Sequence, residues 1–332
     1  MEIKSSSTKN RYARPLGIGA YRPARIVGNA EICELIDSNP EWIEARSGIA
    51  TRRFAQDESI ASMGARAAEK ALSAAGLTPS DVSCVILATM SYLHQAPPAA
   101  AACAAELGAT GAAAFDLGAA CAGFAHALSV ANSLVVTGEA DHVVVIGAER
   151  MSDIVDPRDR STAFLFGDGA GAMVIGPAAE PGFGPAVWGT DTTHLRAIEQ
   201  SRSFAELKDP GAEGWPYLEM AGQEVFRWAI GKVAPVALKA VEAAGVTLED
   251  LDAFVPHQAN MRITDAVVKG MGLPASVEVA RTVRDDGNTS AASIPLALEA
   301  LVAAGRVRPG GLVLTAGFGS GLSYCAQVVT LP

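Results

Sequence analysis

The segment Lys70-Ala-Leu-Ser-Ala-Ala-Gly-Leu-Thr-Pro-Ser-Asp81 returns as Lys239-Ala-Val-Glu-Ala-Ala-Gly-Val-Thr-Leu-Glu-Asp250, with seven identities in twelve positions and an offset of 169 residues (239 − 70). The same offset carries Cys121 onto Ser290, each beside a small-residue turn that opens an apolar helix, and the apolar run 143–146 onto 312–315. Solenoid repeats are far shorter, about 20–50 residues. A period this long describes two similar halves, about 1–176 and 177–332, packed face to face about a pseudo-twofold. Equivalent loops in such halves converge, so the turn at Cys121 and the turn at Asn288 are expected to share one site.

The order of elements says what each half is made of. Residues 12–26 read as a strand and loop, 30–37 and 41–46 as short helices, and 59–75 as an amphipathic helix stopped by Gly76. A buried strand at 83–89, a helix at 97–107, a strand at 112–116, the helix after Cys121 and a strand at 142–147 follow. Alternating strands and helices imply α/β layering. In the second half the strand at 252–255 runs into Pro256-His257-Gln-Ala-Asn260, a polar cluster where α/β proteins usually carry their sites.

Two glycine-rich stretches need separate readings. Gly167-Asp-Gly-Ala-Gly171 comes before a strand at 172–175, whereas a dinucleotide fingerprint follows a strand and opens a helix. It reads as a turn allowing close backbone packing. Gly317-Phe-Gly-Ser-Gly321, between two strand-like runs, is either a plain hairpin or a loop presenting a backbone N–H to an oxyanion.

The chain is 49% hydrophobic and 19% charged, without an uninterrupted apolar run of about 18 residues, so a globular protein and no membrane span are expected. Residues 1–12 are polar and lack the apolar core of a signal peptide; they read as a mobile tail, and export is not expected. A net charge of -10 opposes general nucleic-acid binding, which depends on neutralising phosphates, although it leaves room for a local basic patch. The five cysteines (33, 84, 103, 121 and 325) form no C-x-x-C pair and no Cys/His spacing suited to zinc, so no metal site is expected. A reducing cytoplasm suits them. Cys84 and Cys325 lie in apolar runs and read as core.

Cys121 differs from these. Gly118, Ala119 and Ala120 leave little room for a role through bulk. A thiol in the first turn of a helix meets unpaired N–H groups and the positive end of the dipole, which lower its pKa and make it a nucleophile. The alternative is a buried small hydrophobe. His257, at a strand end, is either a satisfied loop histidine or the partner of Cys121 and Asn288, and the duplication favours the second reading. His126, about one turn past Cys121, reads as a packed neighbour, and His94, His142 and His194 have no such support. A Cys, His and Asn set serves papain-like proteolysis or carbon–carbon bond formation by thiol acyl transfer. Chain order does not separate them, but the papain surroundings of the cysteine are missing.

Taken together, Cys121 in Ala-Ala-Cys-Ala-Gly-Phe, His257 in Val-Pro-His-Gln-Ala-Asn and Asn288 in Gly-Asn-Thr-Ser-Ala-Ala-Ser resemble β-ketoacyl-acyl carrier protein synthase III. Glu41-Trp-Ile, Arg46-Ser-Gly-Ile49, Phe166-Gly-Asp-Gly-Ala-Gly171 and Met220-Ala-Gly-Gln-Glu-Val-Phe226 extend the likeness from Tyr12 onward. The resemblance implies an α/β thiolase-like fold, a duplicated five-layered αβαβα, in a homodimer. It implies a decarboxylative Claisen condensation: an acyl-CoA primer acylates Cys121, malonyl-acyl carrier protein loses carbon dioxide, and its enolate attacks the thioester. His257 and Asn288 would stabilise the enolate, and the N–H groups of Cys121 and Ser320 would form the other oxyanion hole. An aspartate at 288 would instead suit a base; the neutral amide favours condensation.

By the same resemblance Trp42 and Arg160 sandwich the adenine of CoA, and Arg46, Gln223, Phe166 and Phe226 fall at substrate-binding positions. Trp42 has ordinary core packing as its alternative. Arg262 and Lys269, one above the other on a helix, match the basic patch that meets the acidic carrier protein; a solvated helix face is the alternative. No cofactor is implied, acyl-CoA being a substrate. Members of the family place a phenylalanine in His-Ala-Phe-Pro, closing the primer pocket from the partner subunit, whereas this chain has His94-Gln-Ala-Pro97. Ala96 in its place should open the pocket to primers larger than acetyl. Initiation of fatty acid biosynthesis is the leading reading, with priming of an aromatic polyketide pathway or a non-condensing acyltransferase as rivals.

Overall fold

Alternate residues of the Val143–Arg150 strand face two different cores: Val143 and Val145 belong to one apolar cluster, Val144 and Ile146 to another. A strand buried along its length with a period of two requires a sheet covered on both faces. The computed structural model describes residues 11–332 apart from 210, 212 and 213, so all but the last two residues of the polar tail lie outside the described residues.

In chain order β1 (Tyr12–Tyr21), β2 (Cys84–Ala88), β3 (Ala113–Leu117), β4 (Val143–Arg150) and β5 (Asp168–Ala178) form one sheet, in spatial order β1-β5-β4-β2-β3. β2 runs parallel to β3 and β4, and β5 antiparallel to β4 and β1. The second sheet takes β6 (Val187–Thr190), β7 (Ala253–Pro256), β8 (Glu278–Val279), β9 (Leu312–Gly319) and β10 (Ser323–Thr330) in order β6-β10-β9-β7-β8, with the same pattern of directions. The two sheets are copies of one topology.

Helices complete five layers. α1 (Ile60–Ala75) and α2 (Ala99–Leu107) share a core with the outer face of the first sheet. α3 (Gly123–Thr137), α4 (Gly222–Ala243), α5 (Met261–Met271) and α6 (Ser293–Ala303) follow. α4 and α5 cover the second sheet from outside, while α3 and α6 lie between the sheets, in a core that takes Ile86 and Val145 from one and Val255 and Val313 from the other. Among the described residues, one helical stretch, Ala120–Thr137, is long and apolar enough by composition to cross a membrane. It is apolar because it fills this central layer.

Both halves carry the same capping box: the Thr78 N–H and hydroxyl donate to Asp81 Oδ2 at 2.8 and 2.7 Å, and those of Thr247 donate to Asp250 Oδ2 at 2.8 Å. The repeat does not keep one register, however. Cys84 pairs with Val143, while Ala253, its counterpart 169 residues on, pairs with Val313. The 3-10 turn at Ala120–Ala122 likewise matches Ser290–Ala292, an offset of 170 (290 − 120). The second half has thus gained one residue after β7. Cys121 corresponds to Ala291, and Ser290 answers to Ala120.

Two local readings change. The Gly167–Gly171 stretch is not a turn: residues 168–171 belong to β5, and a Cβ on Gly171 would lie 2.6 Å from the Pro295 Cβ and 2.9 Å from the Leu296 nitrogen of α6. Close packing is the reason for the glycine, but of strand against helix. The helix read at 30–37 shrinks to one turn, Asn29–Ile32. Asn39 is extended ahead of Pro40 and caps the next helix, its Oδ1 accepting from the Trp42 N–H at 2.8 Å.

Candidate active site

Cys121 lies in the 3-10 turn between β3 and α3, 6% exposed. The end of β9 passes directly over it: a Cβ on Gly319 would lie 2.7 Å from the Cys121 Cβ, so only glycine fits there. Among the described residues, two non-glycine residues have positive φ, Ala120 (45°) and Ser290 (47°), and they are the residue before the cysteine and the residue beside its sulfur. Such backbone costs on the order of 1–3 kcal/mol per residue and persists where packing over-determines it. Ser290 Oγ and Cys121 Sγ are hydrogen-bonded across 3.3 Å, and the Ser290 N–H donates to Asn288 Oδ1 at 2.9 Å. The two halves therefore meet here, and Cys121 and Asn288 are joined through one serine.

The thiol does not behave as its place at a helix start suggests. Burial pushes it up to about 12; the Ser290 hydroxyl lowers it, the Glu149 carboxylate raises it, and its own backbone N–H lowers it, without offsetting burial. The expected low pKa is thus corrected: in this state Cys121 is a protonated thiol.

Asn288 is held on both backbone sides, its N–H donating to Leu165 O (2.8 Å) and its carbonyl accepting from the Gly167 N–H (3.0 Å). With Oδ1 engaged by Ser290, the amide keeps its donor group, Nδ2, and Asn288 lines a cavity. His257, 3% exposed, follows β7, and its N–H donates to Ala316 O at 2.8 Å. Its ring stands edge-on to Phe318, with centroids 5.1 Å apart, so Phe318 and Gly319 of β9 connect the histidine to the cysteine. Nδ1 lies 2.7 Å from Ser293 Oγ, which also accepts from the Gln258 N–H at 3.3 Å. With the serine hydrogen donated to Nδ1, the ring proton sits on Nε2. Burial lowers the His257 pKa to about 3, which keeps the ring a neutral donor.

Two cavities flank this cluster. One of about 370 Å³ is lined by Asn288 together with Arg46, Gln223, Phe226 and Arg262. Arg262, at the start of α5, lies over the Phe226 ring at 5.2 Å, on the rim of this cavity, while Lys269 is exposed in the last turn of the same helix. Trp42 is 36% exposed and carries the Arg160 guanidinium on its face at 4.9 Å, so the two lie together, stacked on each other. The other cavity, about 220 Å³, is lined by Ser320, Met90, Tyr92, Leu93, Ile198 and Phe204. Ser320 Oγ is tied to Ile198 O at 2.7 Å. Ala96 is exposed on the loop beyond Leu93. Phe166 is buried and lines neither cavity: its backbone bridges to Asn288, and its side chain faces a separate 180 Å³ space beside Met151 and Val155.

Sequence reasoning passed over three residues of the cluster. Ser290 and Ser293 stand inside the quoted Gly-Asn-Thr-Ser-Ala-Ala-Ser motif, and the first was seen only as a repeat mate of Cys121. Glu149, the lone carboxylate closing an apolar strand, is fully buried against Ser290 and Ala291. A charge at the end of Val-Val-Val-Ile-Gly-Ala was the signal for it.

Comparison with known proteins agrees with this geometry. Residues 115–192 match the family described as 3-Oxoacyl-[acyl-carrier-protein (ACP)] synthase III, and residues 241–331 match its C-terminal part. The chain is 51% identical to the β-ketoacyl-[acyl-carrier-protein] synthase III of Streptomyces glaucescens over 322 residues, 97% of each chain, and 50% identical to that of Streptomyces lividans over 98% of this chain and 96% of that one. Among solved structures, the priming β-ketosynthase of the R1128 polyketide pathway superposes with a TM-score of 0.96 at 49% identity, covering 100% of this chain and 98% of that one. The 3-oxoacyl-[acyl-carrier-protein] synthase III of Aquifex aeolicus VF5 follows at 0.89 and 36%, covering 96% and 99%. With its duplicated five-layered fold and half its residues shared along nearly the full length, the chain belongs to the β-ketoacyl-[acyl-carrier-protein] synthase III family of condensing acyltransferases.

Proposed function

We propose that the condensing reaction of this family runs in this chain through Cys121 as acyl acceptor and through His257 and Asn288 as donors to the enolate. The observation that carries the reading is the hydrogen-bonded link Cys121–Ser290–Asn288 across the two halves, with His257 joined to it through the Phe318–Gly319 strand end. An acyl-CoA primer acylates the sulfur and CoA leaves; the N–H groups of Cys121 and Ser320 receive the tetrahedral oxygen. Malonyl-acyl carrier protein then loses carbon dioxide. His257 Nε2–H and Asn288 Nδ2–H stabilise the thioester oxygen as it becomes an enolate, and the carbanion attacks the acyl group to give a β-ketoacyl product.

The 370 Å³ cavity reaching Asn288 supports a path for the pantetheine arm past Arg46, Gln223 and Phe226, with Trp42 and Arg160 parting to take the adenine between them. Arg262 and Lys269 form the basic face offered to the carrier protein. A homodimer is part of the same reading. The first sheet ends on the five-residue edge strand β3, with Phe115 38% exposed, and among the described residues no strand pairs with its outer side. The five free cysteines suit a cytoplasmic setting, and no step calls for a cofactor.

Fatty acid initiation and polyketide priming use the same chemistry. The second reading draws support from the likeness to the R1128 priming ketosynthase and from Ala96, which makes room for primers larger than acetyl. One experiment tests the whole: carbon dioxide release from malonyl-acyl carrier protein, run with a series of acyl-CoA primers, with adducts read by mass spectrometry. Cys121→Ser is expected to give no stable adduct, and Asn288→Ala an adduct without condensation. Absence of release from the acylated enzyme rejects condensation; acetyl-CoA exceeding isobutyryl-CoA tenfold in kcat/KM rejects the open pocket.

A further inference from the structure

The roles above leave Glu149 unused. Its carboxylate, at the end of β4 and closed off from solvent, accepts from Thr89 Oγ1 (3.0 Å), from the backbone N–H groups of Met90 (3.1 Å), Ser91 (3.1 Å) and Ala291 (3.3 Å), and from the Ser91 hydroxyl. The Ser290 hydroxyl also reaches it while lying 3.3 Å from the Cys121 sulfur. One hydroxyl hydrogen therefore stands between a thiol and a carboxylate, and it has two arrangements. In the first, the thiol donates to Ser290 Oγ and Ser290 donates to an ionised Glu149. In the second, a protonated Glu149 donates to Ser290 Oγ and Ser290 donates to a Cys121 thiolate. The two differ by one proton moved from sulfur to carboxylate, with the charge of the pair unchanged.

The surroundings allow one negative charge there and resist a second. Burial raises both groups, and the Glu149 charge raises the thiol further. Among the described residues, no other base is placed to compete. His257 is neutral down to about 3 and has Nδ1 bound to Ser293; His126, on α3, is lowered by burial and turned to the Ala122 carbonyl at 3.0 Å. On β5, Asp168 pairs opposite Arg150 and is occupied by the Ser152 hydroxyl and the Ala55 N–H.

We propose that Glu149, acting through Ser290, takes up the Cys121 proton during acylation of the thiol. As the sulfur attacks the thioester carbonyl, its S–H proton passes to Ser290 Oγ and the serine's own hydrogen passes to Glu149. The new S–C bond forms, the tetrahedral intermediate collapses, and the bond from carbon to the CoA sulfur breaks. The CoA thiolate takes the proton back through Ser290, leaving acyl-Cys121, CoA thiol and ionised Glu149. The inference rests on Cys121 being the acyl acceptor.

Alkylation by iodoacetamide, followed on the Cys121 peptide by mass spectrometry so that the other four cysteines do not count, reads the thiol without acyl-CoA. A thiolate made by internal transfer is equally populated wherever the pair holds one charge, so the wild-type rate constant is expected to be flat from about pH 6 to 9. A thiol ionising to solvent would rise tenfold per pH unit. Glu149→Gln and Ser290→Ala are expected to turn the flat profile into that rise and to slow alkylation at pH 7 about a hundredfold. A wild type that itself rises tenfold per unit overturns the proposal. So does a Glu149→Gln enzyme alkylated as fast as wild type or faster, the result if Glu149 only repels the thiolate. Ser290→Ala keeps Glu149 on its five other donors and decides the matter if Glu149→Gln does not fold; a flat profile in it overturns the proposal. If alkylation behaves as expected but acyl-CoA leaves no adduct on the wild type, the acyl-transfer reading has failed and not the proton path.

Discussion

Cys121 stands where two effects on a thiol oppose each other. The dipole of α3 favours the thiolate by about 0.3–2 kcal/mol, the range for a charge at a helix end. The thiol is nonetheless raised from 9 to about 12, with burial the largest cause, so burial outweighs the helix end. A buried sulfur needs a place for its proton, and the Ser290–Glu149 contact offers one. His257 shows the same physics with the opposite use. Burial keeps it neutral, and Ser293 on Nδ1 directs its remaining proton outward. Ser293→Ala is expected to lower malonyl decarboxylation about tenfold to a hundredfold while Cys121 acylation stays within about twofold, since the serine touches the histidine and not the sulfur. Measuring the two half-reactions separately checks this; a loss confined to acylation would mean that Ser293 acts elsewhere.

Elements meet unusually closely around the site. The glycines of β5 bring α6 against the first sheet, and α6 carries Ser293 at its start, directly after the Ser290–Ala292 turn. A side chain at 171 would push this helix away and carry the serines with it. Gly171→Val is expected to cost about 1–3 kcal/mol or more in denaturant unfolding, as overpacking of a dense core does, and to reduce acylation and condensation together. A variant of wild-type stability would show that α6 can shift freely. The element readings that succeeded were those with a strong local pattern, such as the amphipathic helix read at 59–75, found at 60–75, and the apolar strand read at 142–147, found at 143–150. The one at 167–171 missed because glycine marks both turns and close backbone approach, and only the neighbour across the core tells which.

At the scale of the molecule, two copies of one sheet topology place their helix-opening turns against each other, and the copies differ at their edges. The edge of the first sheet is a full strand and that of the second only two residues, Glu278–Val279. For the proposed homodimer joined through β3, Phe115→Lys is expected to shift sedimentation equilibrium from dimer to monomer and to lower condensation with it; an unchanged dimer would move the interface elsewhere. The duplication, the α/β layering, the apolar strands and the Cys121, His257 and Asn288 motifs were all legible in the chain, because periodicity and short motifs are local properties. The extra residue that shifts the repeat from 169 to 170, and so faces Ser290 rather than its counterpart toward the sulfur, left no local mark. Nor did the protonation of the thiol. Whether a cysteine at a helix start is charged depends on how much water and which carboxylate lie around it, and residues from strands far apart in sequence settle that only once the two halves have closed on each other.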